Sequence, residues 1–193
     1  APGYYIMSDI RTTASELTRL VAGSKRVFWI TWKNNDTDPW EFVPFLRHKH
    51  GHQVGEAVFT GYKVRWYTIP PDAEFDIGQI GPIAVNFQEG VSLTGIAYGG
   101  PQGAELTGGQ RAWVTLRWQA KGPLQDNLKY FVYLRDAKGH VVAQYDWMMY
   151  STQRVSTSYW RDDETTLGFA MPEVIPGTPP GKYEIEVGVY SER

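Results

Sequence analysis

The chain has 193 residues, 42% of them apolar and 21% charged, with a formal net charge of −2 and no cysteine. That is enough apolar material for one large or two small folded domains, so disorder is excluded as the default, and so are disulfides, thiolate metal sites and a cysteine nucleophile. The near-neutral balance without a Lys/Arg cluster excludes nucleic acid as a partner, and no apolar run reaches the roughly 18 residues of a membrane-spanning helix.

Ala1-Pro2-Gly3 carries no initiating Met and is read as the cut end of a longer protein. Ile10, Ala14, Leu17, Leu20 and Val21 recur at helical spacing and predict an amphipathic helix over 8–22, with Thr13 and Glu16 as a capping box and Gly23 as a left-handed stop. The unbroken apolar run Arg26–Trp32 suits a strand covered on both faces. Asp38-Pro39-Trp40-Glu41 reads as a helix start with Asp38 as N-cap and Pro39 in the first position. Pro44, early in that helix, predicts a short or kinked element ending at Gly51. With strands over 54–60 and 62–69, residues 1–70 read as a small α/β layer, about half of a doubly wound unit.

Pro70-Pro71-Asp72 and Gly78-Gln79-Ile80-Gly81-Pro82 bracket a linker. Beyond it the pattern changes to strands alone, over 83–88, 91–98, 111–120, 128–136, 140–146, 164–171 and 182–190, separated by Gly/Pro-rich turns. Asp136-Ala137-Lys138-Gly139 is the clearest hairpin turn. The last strand is two-faced, with Tyr183, Ile185, Val187 and Val189 on one side and Lys182, Glu184, Glu186 and Tyr190 on the other. The predicted fold class is therefore α+β: a small α/β layer over 1–75, then an antiparallel β-sandwich of immunoglobulin-like or jelly-roll type over 76–193. The two parts are expected to pack as one rigid body, since so small a layer buries little surface by itself.

Few residues are arranged for chemistry. His48, His50 and His52 fall within five positions, but no carboxylate is spaced to complete a ligand set, and they read as solvated residues at a helix C-terminus, where the dipole favours cations. Asp36-Thr37-Asp38 has the form of a metal-binding acidic pair, yet Asp38 is already accounted for as a cap; Asn35-Asp36-Thr37 also matches a glycosylation acceptor. Arg161-Asp162-Asp163-Glu164 reads as a charged turn, because adjacent loop carboxylates are not held facing across a substrate. Tyr98-Gly99-Gly100-Pro101-Gln102-Gly103 and Thr107-Gly108-Gly109 do not lie between a strand and a helix, so they are turns and no phosphate cradle. No catalytic residue, metal site or cofactor is assigned.

Laid out in order, Phe87, Leu93, Gly95, Gly109, Leu116, Trp118, Tyr130-Phe131-Val132, Leu134, Gly139, Gln144, Asp146, Trp160, Pro180-Gly181, Tyr183, Gly188 and Tyr190 form a pattern. It resembles the soluble C-terminal region of bacterial multi-spanning glycosyltransferases, similar to glycosyltransferase family 39 and the dolichyl-phosphate-mannose–protein mannosyltransferases. Residues 8–70 resemble the α/β segment that follows the last membrane span in such proteins. The resemblance implies a parent that transfers a sugar from a polyprenyl-phosphate donor, with its catalytic acids in loops absent from this chain. It also implies a place on the extracytoplasmic face of the membrane and a partner in the membrane-spanning part of the same polypeptide. Trp147-Met148-Met149 and Leu167-Gly168-Phe169 depart from the family pattern, where a polar turn and an aspartate are expected.

The expected role is a non-catalytic accessory domain that binds or positions glycan or acceptor; the alternative is a free-standing secreted carbohydrate-binding sandwich. Aromatic residues make up 15% of the chain, which fits both a β-rich core and a sugar-facing surface. Strand alternation puts Trp113 and Arg117, and then Phe131, Tyr133 and Arg135, opposite the apolar sets of their strands, with Glu184 and Glu186 as neighbours. These residues form the candidate carbohydrate-binding surface. A sugar stacked on Trp113 or Tyr133 would use it; the competing reading covers it with the α/β layer or the membrane part.

Overall fold

The computed structural model describes residues 10–32, 38–101, 103–153 and 155–191. The chain divides into two compact units, Ala1–Ile77 and Gly78–Arg193. The fold is mostly antiparallel β-sheet.

In the first unit, α1 (Ile10–Val21) and β1 (Arg26–Trp32) precede α2 (Phe42–His50), β2 (His52–Val58) and β3 (Tyr62–Thr68). Thr13 does not cap α1: it lies inside the helix and is fully buried, because the helix already runs through Ile10. Gly23 does take the left-handed conformation expected of a stop, at φ 73°. The carboxylate of Asp38 accepts from the backbone N–H groups of Phe42 and Val43 at 3.0 and 2.8 Å, across a turn in which Glu41 is left-handed (φ 52°). It therefore satisfies first-turn donors of α2, though from one turn further back than predicted. Burial raises the Asp38 carboxyl above its ordinary value against those two bonds. Pro44 is the third helical residue, where a backbone N–H has no intrahelical acceptor, so it does not break α2.

The sheet order is β1-β3-β2, and β3 runs antiparallel to both neighbours. The β2–β3 hairpin, closed by Phe59 N to Tyr62 O at 2.9 Å, inserts β3 between the two strands that α2 connects. Half of a doubly wound sheet would place those two strands side by side, so that expectation is overturned. Two-sided cover of β1 is overturned as well. Trp29 lies beneath the Arg47 guanidinium of α2, 4.7 Å from its ring, whereas Phe28 and Ile30 on the opposite side are 61% and 56% exposed.

The second unit contains β4 (Gly81–Asn86), β5 (Val91–Gly99), β6 (Trp113–Ala120), β7 (Leu128–Arg135), β8 (Val141–Met148), β9 (Thr165–Ala170) and β10 (Glu184–Ser191). They form two antiparallel sheets, ordered β4-β5-β6-β9 and β10-β7-β8. One core joins them: Val91, Leu93, Val114, Leu116, Trp118 and Ala170 from the first meet Tyr130, Val132 and Val189 from the second. Trp118 and Tyr130 are its largest fully buried side chains, their ring centroids 5.9 Å apart. The Tyr130 hydroxyl donates to Phe169 O at 2.7 Å and accepts from Phe169 N at 3.0 Å, so one phenol bridges β7 to β9 across the core. The Asp136–Gly139 turn forms as predicted: Gly139 has φ 85°, and the Asp136 carboxylate accepts from Lys138 N and His140 N, which holds it below its ordinary pKa.

Candidate binding face

Alternation along β7 sends Leu128, Tyr130, Val132 and Leu134 inward and leaves Lys129, Phe131, Tyr133 and Arg135 half-buried on the outer face. Register supplies their neighbours. Phe131 lies between Gly188 and Asp146, Tyr133 between Glu186 and Gln144, Lys129 between Tyr190 and Met148, and Arg135 opposite Glu184. Gly188 is what lets the Phe131 ring lie down, since a Cβ there would collide with it. The ring then stacks on Tyr133 with centroids 4.3 Å apart and 26° between planes, and meets Tyr190 at 6.4 Å.

Charged and polar groups border this aromatic ledge. The Arg135 guanidinium stands 5.6 Å from the Tyr133 centroid and donates from Nε to the Glu186 carboxylate and from Nη1 to Gly139 O. The Glu186 bond holds Arg135 above its ordinary pKa. Tyr190 Oη donates to Asp146 Oδ1 at 3.0 Å, while Gln144 and Glu184 are exposed. Flat apolar rings beside acceptors and amide donors suit a ligand with one apolar face and a rim of hydroxyls.

Of the six predicted site residues, Phe131, Tyr133, Arg135 and Glu184 come together here. Trp113 and Arg117 do not: β6 belongs to the other sheet, and their side chains lie on its outer face. Trp113 rests on Gly99 with its ring edge against Gly78, and its Nε1 donates to Gly100 O at 3.3 Å. Arg117 lies over Gly95 and is tied to β5 by bonds to Thr94 O at 3.0 Å and Thr94 Oγ1 at 3.3 Å. Both are braced against their own sheet. Gln144, Asp146 and Gly188 were missed, because nothing local indicates which strand lies beside which; Tyr190 was legible as a face-mate of Glu184 and Glu186.

The histidines do not converge. His50 Nε2 lies 3.0 Å from Asp76 N, Lys49 Nζ bonds Asp76 Oδ1 at 2.6 Å, and the His50 ring packs 5.2 Å from Phe75. The same Nε2 lies 3.0 Å from Asp76 O, and burial lowers the His50 pKa against the raising effect of its backbone bond to Asp76. His52 is exposed on β2. No group of three or more His, Asp or Glu among the described residues is placed to hold a metal ion. Asn35, Asp36 and Thr37 lie outside the described residues. Arg161 to Glu164 form a turn, closed by Glu164 N to Arg161 O at 3.1 Å, with the Asp163 carboxylate turned to Gln119.

Neither protein-family models, curated proteins nor solved structures yield a match to this chain.

Proposed function

We propose that the chain is a non-catalytic accessory region of a membrane-embedded glycosyltransferase, in which the outer face of β10-β7-β8 binds or positions glycan. The observation that carries it is the Phe131–Tyr133 stack with Tyr190 beside it, edged by Asp146, Gln144, Glu184 and Glu186. Sugar rings present an axial C–H face to such a ledge and their hydroxyls to such a rim. The sequence resemblance supports the parent and an extracytoplasmic setting. In the finer fold reading, the second unit is an immunoglobulin-like sandwich. Counting from β5, the orders first-second-fifth and sixth-third-fourth follow the A-B-E and F-C-C′ neighbours of that fold, with β4 added at one edge.

The test is a glycan-array screen of the purified chain followed by calorimetric titration. Tyr133→Ala is expected to weaken binding about tenfold or more at unchanged fold, whereas Trp113→Ala leaves affinity intact. No glycan bound, or binding indifferent to Tyr133→Ala, refutes the site; sugar transfer by the chain unaided refutes the accessory role. The upstream reading frame distinguishes the membrane parent, with a series of apolar spans, from a free-standing secreted binder with a signal peptide.

A further inference from the structure

The sheet of the first unit has its own unused face, unrelated to the glycan ledge. Register puts Phe28, Trp66 and Gly55 in one row and Ile30, Val64 and Ala57 in the next, all on the side turned away from Trp29 and Arg47. Phe28 and Ile30 are more than half exposed, and the Trp66 ring lies over Gly55, 6.4 Å from the Phe28 ring. The apolar surface continues into the β2–β3 hairpin, an uncharged tip in which the Phe59 and Tyr62 rings stack 4.8 Å apart, 45% and 38% exposed. Such continuity marks an interaction surface and differs from the singly scattered apolar residues of an ordinary exterior.

Charge decides what it fits. The single acid in these three strands, Glu56, lies on the other face, bonded to Arg65 at 2.6 Å and near Lys63. Among the described residues of these strands the open face carries no acid, and Arg26, Thr68 and His52 make the row at its end. Its size counts against a protein partner: three strands of seven residues span about 14 by 23 Å, roughly 300 Å², well below the ~800 Å² per side of a stable interface. A bilayer surface needs no such closed complementarity, accepts aromatic rings with polar edges at headgroup depth, and attracts cations when its lipids are anionic.

We propose that the outer face of β1-β3-β2 is a membrane-surface docking site for anionic lipid, with Phe28, Ile30 and the Phe59–Tyr62 tip in the interfacial layer and Arg26 among the headgroups. The test is co-sedimentation of the full chain with vesicles of phosphatidylcholine alone and of phosphatidylcholine mixed with phosphatidylglycerol. The mixed vesicles are expected to bind more tightly, with affinity falling as salt rises. Ile30→Glu and Phe59→Glu each weaken binding about tenfold or more with circular dichroism unchanged; both sites are exposed, so the fold tolerates them. Arg26→Glu removes the preference for anionic lipid. Absence of binding to both vesicles overturns the proposal, as does binding that survives Ile30→Glu combined with Phe59→Glu. A concentration-dependent dimer in lipid-free buffer that Ile30→Glu dissociates also overturns it, assigning the face to a second copy of the chain. Tyr133→Ala leaves vesicle binding unchanged, so failure here and failure of the glycan site are read separately.

Discussion

Two outer sheet faces of this protein are built with the same device and end with different chemistry. On β1-β3-β2 the Trp66 ring lies over Gly55; on β10-β7-β8 the Phe131 ring lies over Gly188. In each case the missing side chain lets an aromatic ring flatten along the sheet and become part of a broad surface. The neighbours then differ. Phe28, Ile30, Val64 and Ala57 surround the first ring, whereas Tyr133, Asp146, Tyr190 and Glu186 surround the second. An aromatic platform alone therefore does not specify a ligand. The polar groups on the adjoining strands decide whether it sheds water onto an apolar layer or orients a ligand rich in hydroxyls.

The largest expected effect separates covered from open surface. Trp118→Ala, in the shared core of the second unit, should lower stability by about 3–5 kcal/mol in urea denaturation, while Phe28→Ala stays within about 0.5 kcal/mol. Equal losses would mean that the open face is not open in solution. The two sides of the first sheet should differ in the same sense. Burial pulls the Arg47 guanidinium down to about 10, and it is held by Tyr67 Oη at 3.3 Å, by Val43 O and by the Trp29 and Tyr67 rings. Arg47→Ala should cost about 2 kcal/mol through lost packing and cation–π contact, and Arg47→Met, which keeps the stem, clearly less. Next comes the glycine beneath the aromatic ledge of β10-β7-β8: Gly188→Ala should cost about 1 kcal/mol or more and displace Phe131 from Tyr133, detected as a shift in the Phe131 ring resonances.

The smallest effect is one of pH. Burial depresses His50 below its ordinary 6.5, so in acid the unfolded chain takes up a proton that the folded chain refuses. Its contribution is complete above about pH 6.5 and is lost as pH falls through the depressed folded value. A pH series of urea melts should show stability declining over that window, with His50→Gln flattening the decline. An unchanged slope in the variant would show that His50 does not couple folding to protons.

What the sequence determined by itself was local. The alternation of Tyr130, Val132 and Leu134 against Phe131, Tyr133 and Arg135 held, because successive side chains of an extended backbone must point to opposite sides. The Asp136–Gly139 turn and the Gly23 stop were legible for a similar reason, since their conformations are set by a few adjacent residues. Thr13 was misread because a threonine followed three residues later by glutamate also occurs inside a helix, and only the extent of the helix tells the two apart. Tertiary structure alone decided which strands lie side by side. Trp113 and Phe131 carry the same outward signal, yet β6 and β7 enter different sheets and the two rings never share a surface. The run from Val27 to Ile30 is equally apolar on both sides, and α2, packed over Trp29 by contacts distant in sequence, left Phe28 and Ile30 as the exposed side. Side-chain direction follows from the covalent geometry of the strand, whereas cover follows from long-range burial, which no short stretch of sequence encodes.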